Sequence, residues 1–384
     1  MGKVNRTYDP FLSVEILGCI ATPDMLFYSF CDKKDWGKPD FYNPRVISIM
    51  SSDAYIDMHI GGTKMNAIEQ RKLELLQCLT NPTLDRETVD EFWNNLLAED
   101  EEQPLHITLA PEPVPYPGMG VSKVSFMGYA ETVIHAWYIR PATGTGGQGN
   151  LPCIVTFPGY TGDRGYPERY AHFTLLGYAV LAVDVRGQLG ETGNLLPQEH
   201  GVAKGWITQG LLDKEQSYYL ALAMDTVRAI ETAAQLPGVD AARIAITGAS
   251  QGGGIALLAG ALSRRVAAVA ADIPNMCRLD YGVLNSTSSL TEIADYLKRY
   301  PEHLERVLEN LAYFDIVNLA HRFTVPVMMS AGWKDTVCMP EAIYAAYNRI
   351  ESPKQMRDYP FSGHEVSEFQ RRQTALFFQE HLGS

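Results

Sequence analysis

The sequence predicts an α/β fold built on a doubly wound, mostly parallel sheet, and three observations support this prediction. From residue 121 onward, short apolar runs alternate with longer stretches of helical pattern, which is typical of a parallel sheet covered by helices. Many of these runs are β-branched or alanine-rich without polar alternation, as expected for strands buried on both faces. The composition, 46% hydrophobic and 20% charged, is ordinary for a globular chain that can bury such a sheet.

Strands and helices are predicted in alternation along this domain. The strands are predicted at Lys123–Met127, Val133–Ile139, Pro152–Phe157, Tyr178–Asp184, Arg243–Thr247, Val266–Asp272, Val325–Ala331 and Gln355–Tyr359. The helices are predicted at 167–176, 217–235, 251–263, 291–310, 340–350 and 366–381. A glycine-rich stretch at 143–149 is predicted to form an exposed loop between the second and third strands.

The chain before the predicted sheet divides into two parts. Residues 1–71 are rich in aromatic residues and lack a sustained period, so we expect an N-terminal extension, of unknown role, before a domain at residues 72–384. Its aromatic side chains are expected to pack on that domain, and altered assembly or a narrowed pocket entrance is the alternative. Residues 72–117 have a helical pattern, notably at 88–98 with Asp85 as the expected cap, and a proline-rich stretch at 111–120 follows.

The charge of the chain disfavours two classes of partner. With 32 basic and 45 acidic residues, the formal net charge is −13, which opposes binding to nucleic acid and to anionic membrane surfaces. No segment approaches the roughly 20 consecutive apolar residues that a membrane-spanning helix needs. We therefore expect neither nucleic acid nor a membrane as a partner.

Cysteine spacing and the first residues bear on localisation. The six cysteines are widely spaced and contain no C-x-x-C pair, so neither a zinc site nor a dense disulfide framework is predicted. Lys3 and Arg6 precede an apolar run at 11–19, but Glu15 interrupts that run, which is also too short for a secretory signal. A cytoplasmic location is therefore predicted.

The glycine-rich segment around Ser250 is the strongest chemical signal. Residues 248–252 read G-A-S-Q-G between a predicted strand and a predicted helix, which is the context of a nucleophile elbow. Glycines at 248 and 252 allow the helix to pack close to the strand, and the serine then occupies a sharp, strained turn. The alternative is a glycine-rich turn with an incidental serine. We predict that Ser250 is a nucleophile.

A serine hydroxyl needs a base and an acid that orients the base. In α/β-hydrolases the histidine follows the last strand, which favours His364 over His381, whose place inside the last helix is typical of a solvated side chain. Asp335 follows the penultimate strand and is the predicted acid. Asp315 and Asp272 are weaker candidates, because the first precedes that strand and the second lies one strand too early.

Two backbone amides are predicted to form the oxyanion hole. One belongs to Gln251, the residue after the nucleophile, and the other to Tyr160 in the loop after strand Pro152–Phe157. Losing one such donor typically costs about 10²–10³ in rate.

Four motifs in this order resemble those of the acetyl xylan esterase / cephalosporin C deacetylase family, carbohydrate esterase family 7. They are R-G-Q at 186–188, G-A-S-Q-G-G-G at 248–254, W-K-D-T-V-C-M-P at 333–340 and G-H-E at 363–365. The similarity extends from about residue 80 nearly to the C-terminus, and the set in order is highly specific.

The resemblance implies an intracellular deacetylase that assembles as a hexamer and acts on small acetylated substrates, xylo-oligosaccharides and cephalosporin C among them. It supports the same triad and oxyanion donors, assigns Arg186 and Gln188 to bracing the site, and places a helical insertion at about 275–318. The family usually has glycine after R-G-Q, whereas Leu189 stands here, so the loop shape is expected to differ.

We therefore predict a serine carboxylester hydrolase that forms an acyl-enzyme and needs no metal or organic cofactor. A serine peptidase of the prolyl oligopeptidase type is one alternative, although the roughly 120 residues before the sheet cannot supply a propeller of four-stranded blades. A catalytically silent hydrolase-fold binding protein is the other.

Overall fold

The computed structural model describes residues 65–142, 150–198 and 204–383, together with the backbone of two short strands at residues 26–30 and 45–49. The chain divides into two compact units, Met1–Met65 and Asn66–Ser384. In the first unit, β1 (Leu26–Phe30) pairs antiparallel with β2 (Arg45–Ile49). The loop at 143–149 and the side chains of the N-terminal aromatic residues lie outside the described residues, so the expectations for them stay predictions.

The second unit is built on one sheet of nine strands. Their bounds are β3 Thr108–Glu112, β4 Met119–Met127, β5 Val133–Pro141, β6 Leu151–Phe157, β7 Ala179–Val183, β8 Val239–Ala249, β9 Val266–Asp272, β10 Val327–Gly332 and β11 Lys354–Tyr359. The order across the sheet is β11-β10-β9-β8-β6-β7-β5-β4-β3. The six strands from β11 to β7 run parallel, and the other three are antiparallel.

The doubly wound, mostly parallel sheet predicted from the sequence is therefore confirmed, and all eight predicted strands are present. Strand β3 was not predicted, because residues 72–117 have a helical pattern overall. It is an edge strand with four of its five residues exposed, and Pro111 is tolerated there because an edge strand needs no donor on its free side. Apolar content alone could not have revealed it.

Eleven α-helices accompany the strands in the described part of the chain. They are α1 Ala67–Leu76, α2 Arg86–Glu101, α3 Ala171–Leu175, α4 Tyr218–Gln235, α5 Gln251–Leu262, α6 Leu279–Asn285, α7 Thr291–Arg299, α8 Leu304–Ala312, α9 Ile316–Leu319, α10 Pro340–Arg349 and α11 Glu368–Leu382. Within the described ranges, no helix combines the length and apolar character needed to cross a bilayer.

The helices cover both faces of the sheet. Residues of α4, α5 and α10 share one hydrophobic core with alternate strand residues such as Val155. Residues of α3 and α11 form a second core with the intervening residues, such as Ile154. Burial on both faces explains why the strands are continuously apolar.

The structure divides one predicted helix and agrees with one predicted helix cap. The helix predicted at 291–310 is two helices, because Pro301 cannot donate a backbone hydrogen bond and the preceding Tyr300 leaves the helical region. Asp85 caps α2 as predicted, accepting from the Thr88 amide at 2.8 Å.

Helix α1 crosses the boundary predicted between residues 71 and 72. Helices α6 to α9 fill the segment between β9 and β10.

The sheet order places a crevice beside β6. The chain goes from β6 to β7 on one side and then returns to β8 on the other, so the strand order reverses between β6 and β8. Ligands of doubly wound folds bind at such reversal points, at the carboxyl ends of the strands. The loops after β6 and β8 contain Tyr160 and Ser250.

Candidate active site

Ser250 lies at a sharp turn between β8 and α5. Its backbone angles, φ 58° and ψ −118°, lie outside the regions that L-residues favour. A Cβ on Gly248 would lie 2.5 Å from the backbone of Gly252, and one on Gly252 would overlap the carbonyl of Phe157. The two glycines therefore allow the strand, the helix and the neighbouring strand to approach closely enough to hold the strained serine.

Three side chains predicted from separate loops are hydrogen-bonded in series. Ser250 Oγ lies 3.0 Å from His364 Nε2, and His364 Nδ1 lies 2.8 Å from Asp335 Oδ2. A carboxylate can only accept, so Nδ1 carries the ring proton and Nε2 accepts the serine hydroxyl. This tautomer allows the imidazole to take a proton from Ser250.

The Asp335 carboxylate is buried, and both of its oxygens are hydrogen-bonded. The Asp335 side chain has no exposed surface, and its second oxygen accepts from the backbone amides of Val337 at 2.7 Å and Cys338 at 3.0 Å. These donors fix the carboxylate in one orientation, because they belong to the turn that follows β10.

The two weaker acid candidates serve elsewhere. Asp315 caps α9 and accepts from the backbone amides of Arg278 and Leu279. Asp272 is buried at the end of β9, where its carboxylate accepts from Ser330 and Gln370. Neither carboxylate is hydrogen-bonded to a histidine in the described part of the chain.

The other late histidines have partners away from Ser250. His303 Nδ1 bonds the Tyr296 hydroxyl at 2.8 Å, His321 lies 3.1 Å from Asp90, and the His381 ring packs edge-on against Phe377. His200 lies outside the described residues.

Two predicted amide donors belong to residues next to the serine turn: Gln251 follows Ser250, and Tyr160 follows Gly159, where a built Cβ would lie 3.9 Å from Ser250 Cβ. Gln251 is the first residue of α5, and helix N-termini leave their first amides free. Within the described ranges, neither amide donates a hydrogen bond. Free, fixed donors beside a nucleophile can stabilise a developing oxyanion.

Gln188 joins the loop of Tyr160 to the start of α5. Its Oε1 accepts from the Thr161 amide at 2.8 Å, and its Nε2 donates to the Gln251 side chain at 2.8 Å and to the Tyr218 hydroxyl at 2.9 Å. The side chain is buried. It therefore links the residue after Tyr160 to the side chain of Gln251, which carries the second free amide. Leu189, directly after it, is exposed.

Arg186 lies wholly inside the protein, behind the site. Its Nε and Nη2 donate to the two oxygens of Asp225, each at 2.6 Å, and Nη2 also donates to the Tyr129 carbonyl at 2.8 Å. The paired charges satisfy each other, and removing one would leave a buried charge uncompensated. Asp225 comes from the middle of α4 and was not identified in the sequence.

Two further residues at the site were not identified either. The hydroxyl of Tyr160 donates to Glu292 Oε2 at 2.6 Å and accepts from the Trp206 amide at 3.2 Å. In the sequence, Glu292 looks like an ordinary charged residue in the first turn of a helix, so no local signal distinguishes it.

The chain is similar to known proteins over most of its length. The model of the acetyl xylan esterase (AXE1) family matches residues 67–382. Acetyl xylan esterase from Paenibacillus sp. R4 is 34% identical, with a TM-score of 0.77 over 81% of this chain and 99% of that one. Acetyl xylan esterase 1 from Thermoanaerobacterium sp. JW/SL YS485 is 31% identical, with a TM-score of 0.73 over 80% and 98%.

A curated relative matches over a shorter range. Acetyl esterase Axe7A of Xylanibacter ruminicola is 29% identical over 234 residues, 56% of this chain, and the match spans only about half (50%) of its own length. The structural matches extend over the sheet and its helices, so the α/β-hydrolase fold predicted from the sequence is confirmed.

Proposed function

The chain belongs to the acetyl xylan esterase family, and from this premise we propose that it is a serine carboxylester hydrolase that deacetylates small acetylated carbohydrates such as xylo-oligosaccharides. The observation that supports this most strongly is the hydrogen-bonded series Ser250–His364–Asp335 at the strained turn after β8. In this proposal Ser250 is the nucleophile, His364 the general base and Asp335 the group that orients it.

The first half-reaction transfers the acetyl group to the enzyme. Ser250 Oγ attacks the acetyl carbonyl carbon while its proton passes to His364 Nε2. The carbonyl oxygen becomes an oxyanion that accepts from the Tyr160 and Gln251 amides. The bond to the sugar oxygen then breaks, and His364 returns its proton to that oxygen, which leaves as a free hydroxyl.

The second half-reaction restores the enzyme. Water attacks the acetyl carbonyl as His364 takes one of its protons, and the bond to Ser250 Oγ breaks. His364 delivers the proton to Oγ, and acetate is released. Asp335 stabilises the imidazolium in both halves without taking the proton itself.

Finer features of the proposal rest on the family resemblance. We include cephalosporin C as a further substrate, a homohexamer as the assembly and the cytoplasm as the location. The four cysteines in the described part of the chain are free thiols, which supports a reducing compartment. Arg186 and Gln188 brace the site rather than react, consistent with their burial.

A hydrolysis assay tests the activity. The purified wild type and Ser250→Ala are offered p-nitrophenyl acetate, acetylated xylobiose and a prolyl-peptide amide. We expect acetate release from the two esters, no amide cleavage, and a loss of about 10⁶ in kcat on removing the serine. Ser122→Ala on strand β4 serves as the matched control. Wild-type acetate release no greater than that of Ser250→Ala would rule out the esterase, and cleavage of the amide would favour a peptidase.

A further inference from the structure

We propose that Glu292 is a positioning residue for the oxyanion hole: its carboxylate holds the phenol of Tyr160 and so fixes the direction of the Tyr160 amide. This inference rests on the proposed function, because it assigns Glu292 a part in stabilising the tetrahedral intermediate. It adds a residue of the insertion between β9 and β10 to a site otherwise built from the loops after the strands of the sheet.

The side chain of Tyr160 is held at three points. Its hydroxyl donates to Glu292 Oε2 at 2.6 Å and accepts from the Trp206 amide at 3.2 Å. Its ring packs edge-to-face on the Trp206 indole, with centroids 5.5 Å apart and an interplanar angle of 80°. A donor bond to a carboxylate is about twice as strong as one between neutral groups, so Glu292 is the main anchor.

The backbone around Tyr160 needs such an anchor. Tyr160 follows Gly159, and Thr161 has a positive φ of 64°, so the loop contains both a flexible residue and a strained one. Gln188 holds the peptide after Tyr160, through the Thr161 amide. The peptide that carries the Tyr160 amide is also held at its carbonyl end, where Gly159 accepts from the Gly162 amide at 2.9 Å. The main chain and the anchored side chain of Tyr160 therefore set the direction of this amide together.

Glu292 is itself held in place. The backbone amide of Glu292 donates to the Ser289 carbonyl at 3.0 Å at the start of α7. Gly205, with φ 69°, lies directly against the carboxylate, and a Cβ at that position would overlap it. A side chain at residue 205 would push this carboxylate aside, and the positive φ independently favours glycine there.

The charges agree with positioning rather than with direct catalysis. Burial, reinforced by the hydrogen bond to Glu292, raises the pKa of the Tyr160 phenol well above its usual range. The phenol therefore stays protonated and remains a donor at all working pH values. A carboxylate has the same sign of charge as a developing oxyanion and cannot attract it, so its benefit is geometric.

A set of variants separates geometry from charge. Glu292→Ala removes the anchor, Glu292→Gln keeps an acceptor without the charge, and Tyr160→Phe removes the donor. The matched control is Asp295→Ala, because Asp295 lies on the same helix as Glu292. Its carboxylate lies 3.5 Å from the ammonium group of Lys204, the residue before Gly205, and makes no hydrogen bond to Tyr160 within the described ranges.

We expect Glu292→Ala to lower kcat about 10- to 100-fold with little change in KM, because a displaced donor costs less than a lost one. Tyr160→Phe should lose at least that factor, because it also removes the acceptor of the Trp206 amide. The double variant should lose no more than Tyr160→Phe alone, since the bond between Tyr160 and Glu292 is already absent there. Glu292→Gln should recover most of the loss, and Asp295→Ala should stay within about twofold of the wild type.

Several results would overturn the inference. Wild-type kcat in Tyr160→Phe would do so even if Glu292→Ala failed to fold, and so would multiplicative losses in the double variant or an equal loss in Glu292→Gln. Failure of the proposed function looks different, because the wild type itself would then release no more acetate than Ser250→Ala.

Discussion

The two halves of the proposed oxyanion hole are held by different means. The Gln251 half depends on backbone packing: Gly248 and Gly252 bring β8, α5 and β6 together, and the Ser250 amide donates to the Asp272 carbonyl at 2.9 Å. The Tyr160 half has one main-chain bond, from the Gly162 amide to the Gly159 carbonyl. It otherwise depends on long side chains, since Gln188 holds the following peptide and Glu292 holds the phenol. One half is therefore fixed by steric contact between main-chain segments, and the other by hydrogen bonds that single substitutions can remove.

This difference predicts which half of the proposed oxyanion hole tolerates substitution. Backbone packing leaves little freedom, because any added atom must move a strand or a helix. Side-chain anchors from a separate insertion can be weakened or replaced without rebuilding the sheet. We expect substitutions in the Gln251 half to abolish activity and substitutions in the Tyr160 half to reduce it only in part.

The largest effect should follow from filling the packing contact. In Gly252→Ala the new Cβ overlaps the Phe157 carbonyl, so the strand and helix must separate and Ser250 must shift. We expect kcat to fall at least about 10²-fold and the free energy of unfolding to fall by about 1–3 kcal/mol. Gly193→Ala is the matched control, because no atom lies within 4 Å of its added Cβ. Equal activity in both variants would contradict the packing account.

A smaller effect is expected from the residue that joins the two halves. Gln188→Ala removes the acceptor for the Thr161 amide and the link to the Gln251 side chain. We expect kcat to fall about 10- to 100-fold, as measured with p-nitrophenyl acetate. Gln103→Ala, at an exposed glutamine, should leave kcat unchanged. A purely structural role for Gln188 would instead lower the unfolding temperature and leave kcat per folded molecule intact.

The last prediction concerns stability rather than activity, on the Gln251 side. Burial raises the pKa of Asp272 from 3.8 to about 6. Because the folded pKa is the higher one, this group's contribution to stability is complete below pH 3.8 and is lost as the pH rises through 6. The wild type should therefore lose about 3 kcal/mol relative to Asp272→Asn between these pH values. Urea unfolding of both proteins across that range checks this, and parallel curves would contradict it.

Most of the sheet could be predicted from the sequence because burial on both faces leaves a local signature. Strands such as β6 and β9 are continuously apolar, and the strand–glycine–serine–glycine–helix order around Ser250 is itself local. The edge strand β3 lacks this signature, since water covers most of its residues. Pro301 shows that a single residue can divide a helix whose apolar pattern continues through it.

The residues around the site were predictable only where chain order constrains them. His364 and Asp335 could be predicted as triad members because α/β-hydrolases place their acid and histidine after particular strands. Glu292 could not, because it lies 132 positions from Tyr160 in the chain and its contact depends on how the insertion folds back over the sheet.

The most direct test of the central claim is detection of the acyl-enzyme. The wild type and Ser250→Ala are mixed with p-nitrophenyl acetate, quenched with acid within the first turnovers, digested and examined by mass spectrometry. We predict one acetyl group on the wild-type peptide that contains Ser250 and none on the corresponding peptide of the variant. Turnover of the ester by the wild type with no acetyl group on Ser250 at any quench time, together with undiminished hydrolysis by Ser250→Ala, would contradict the account.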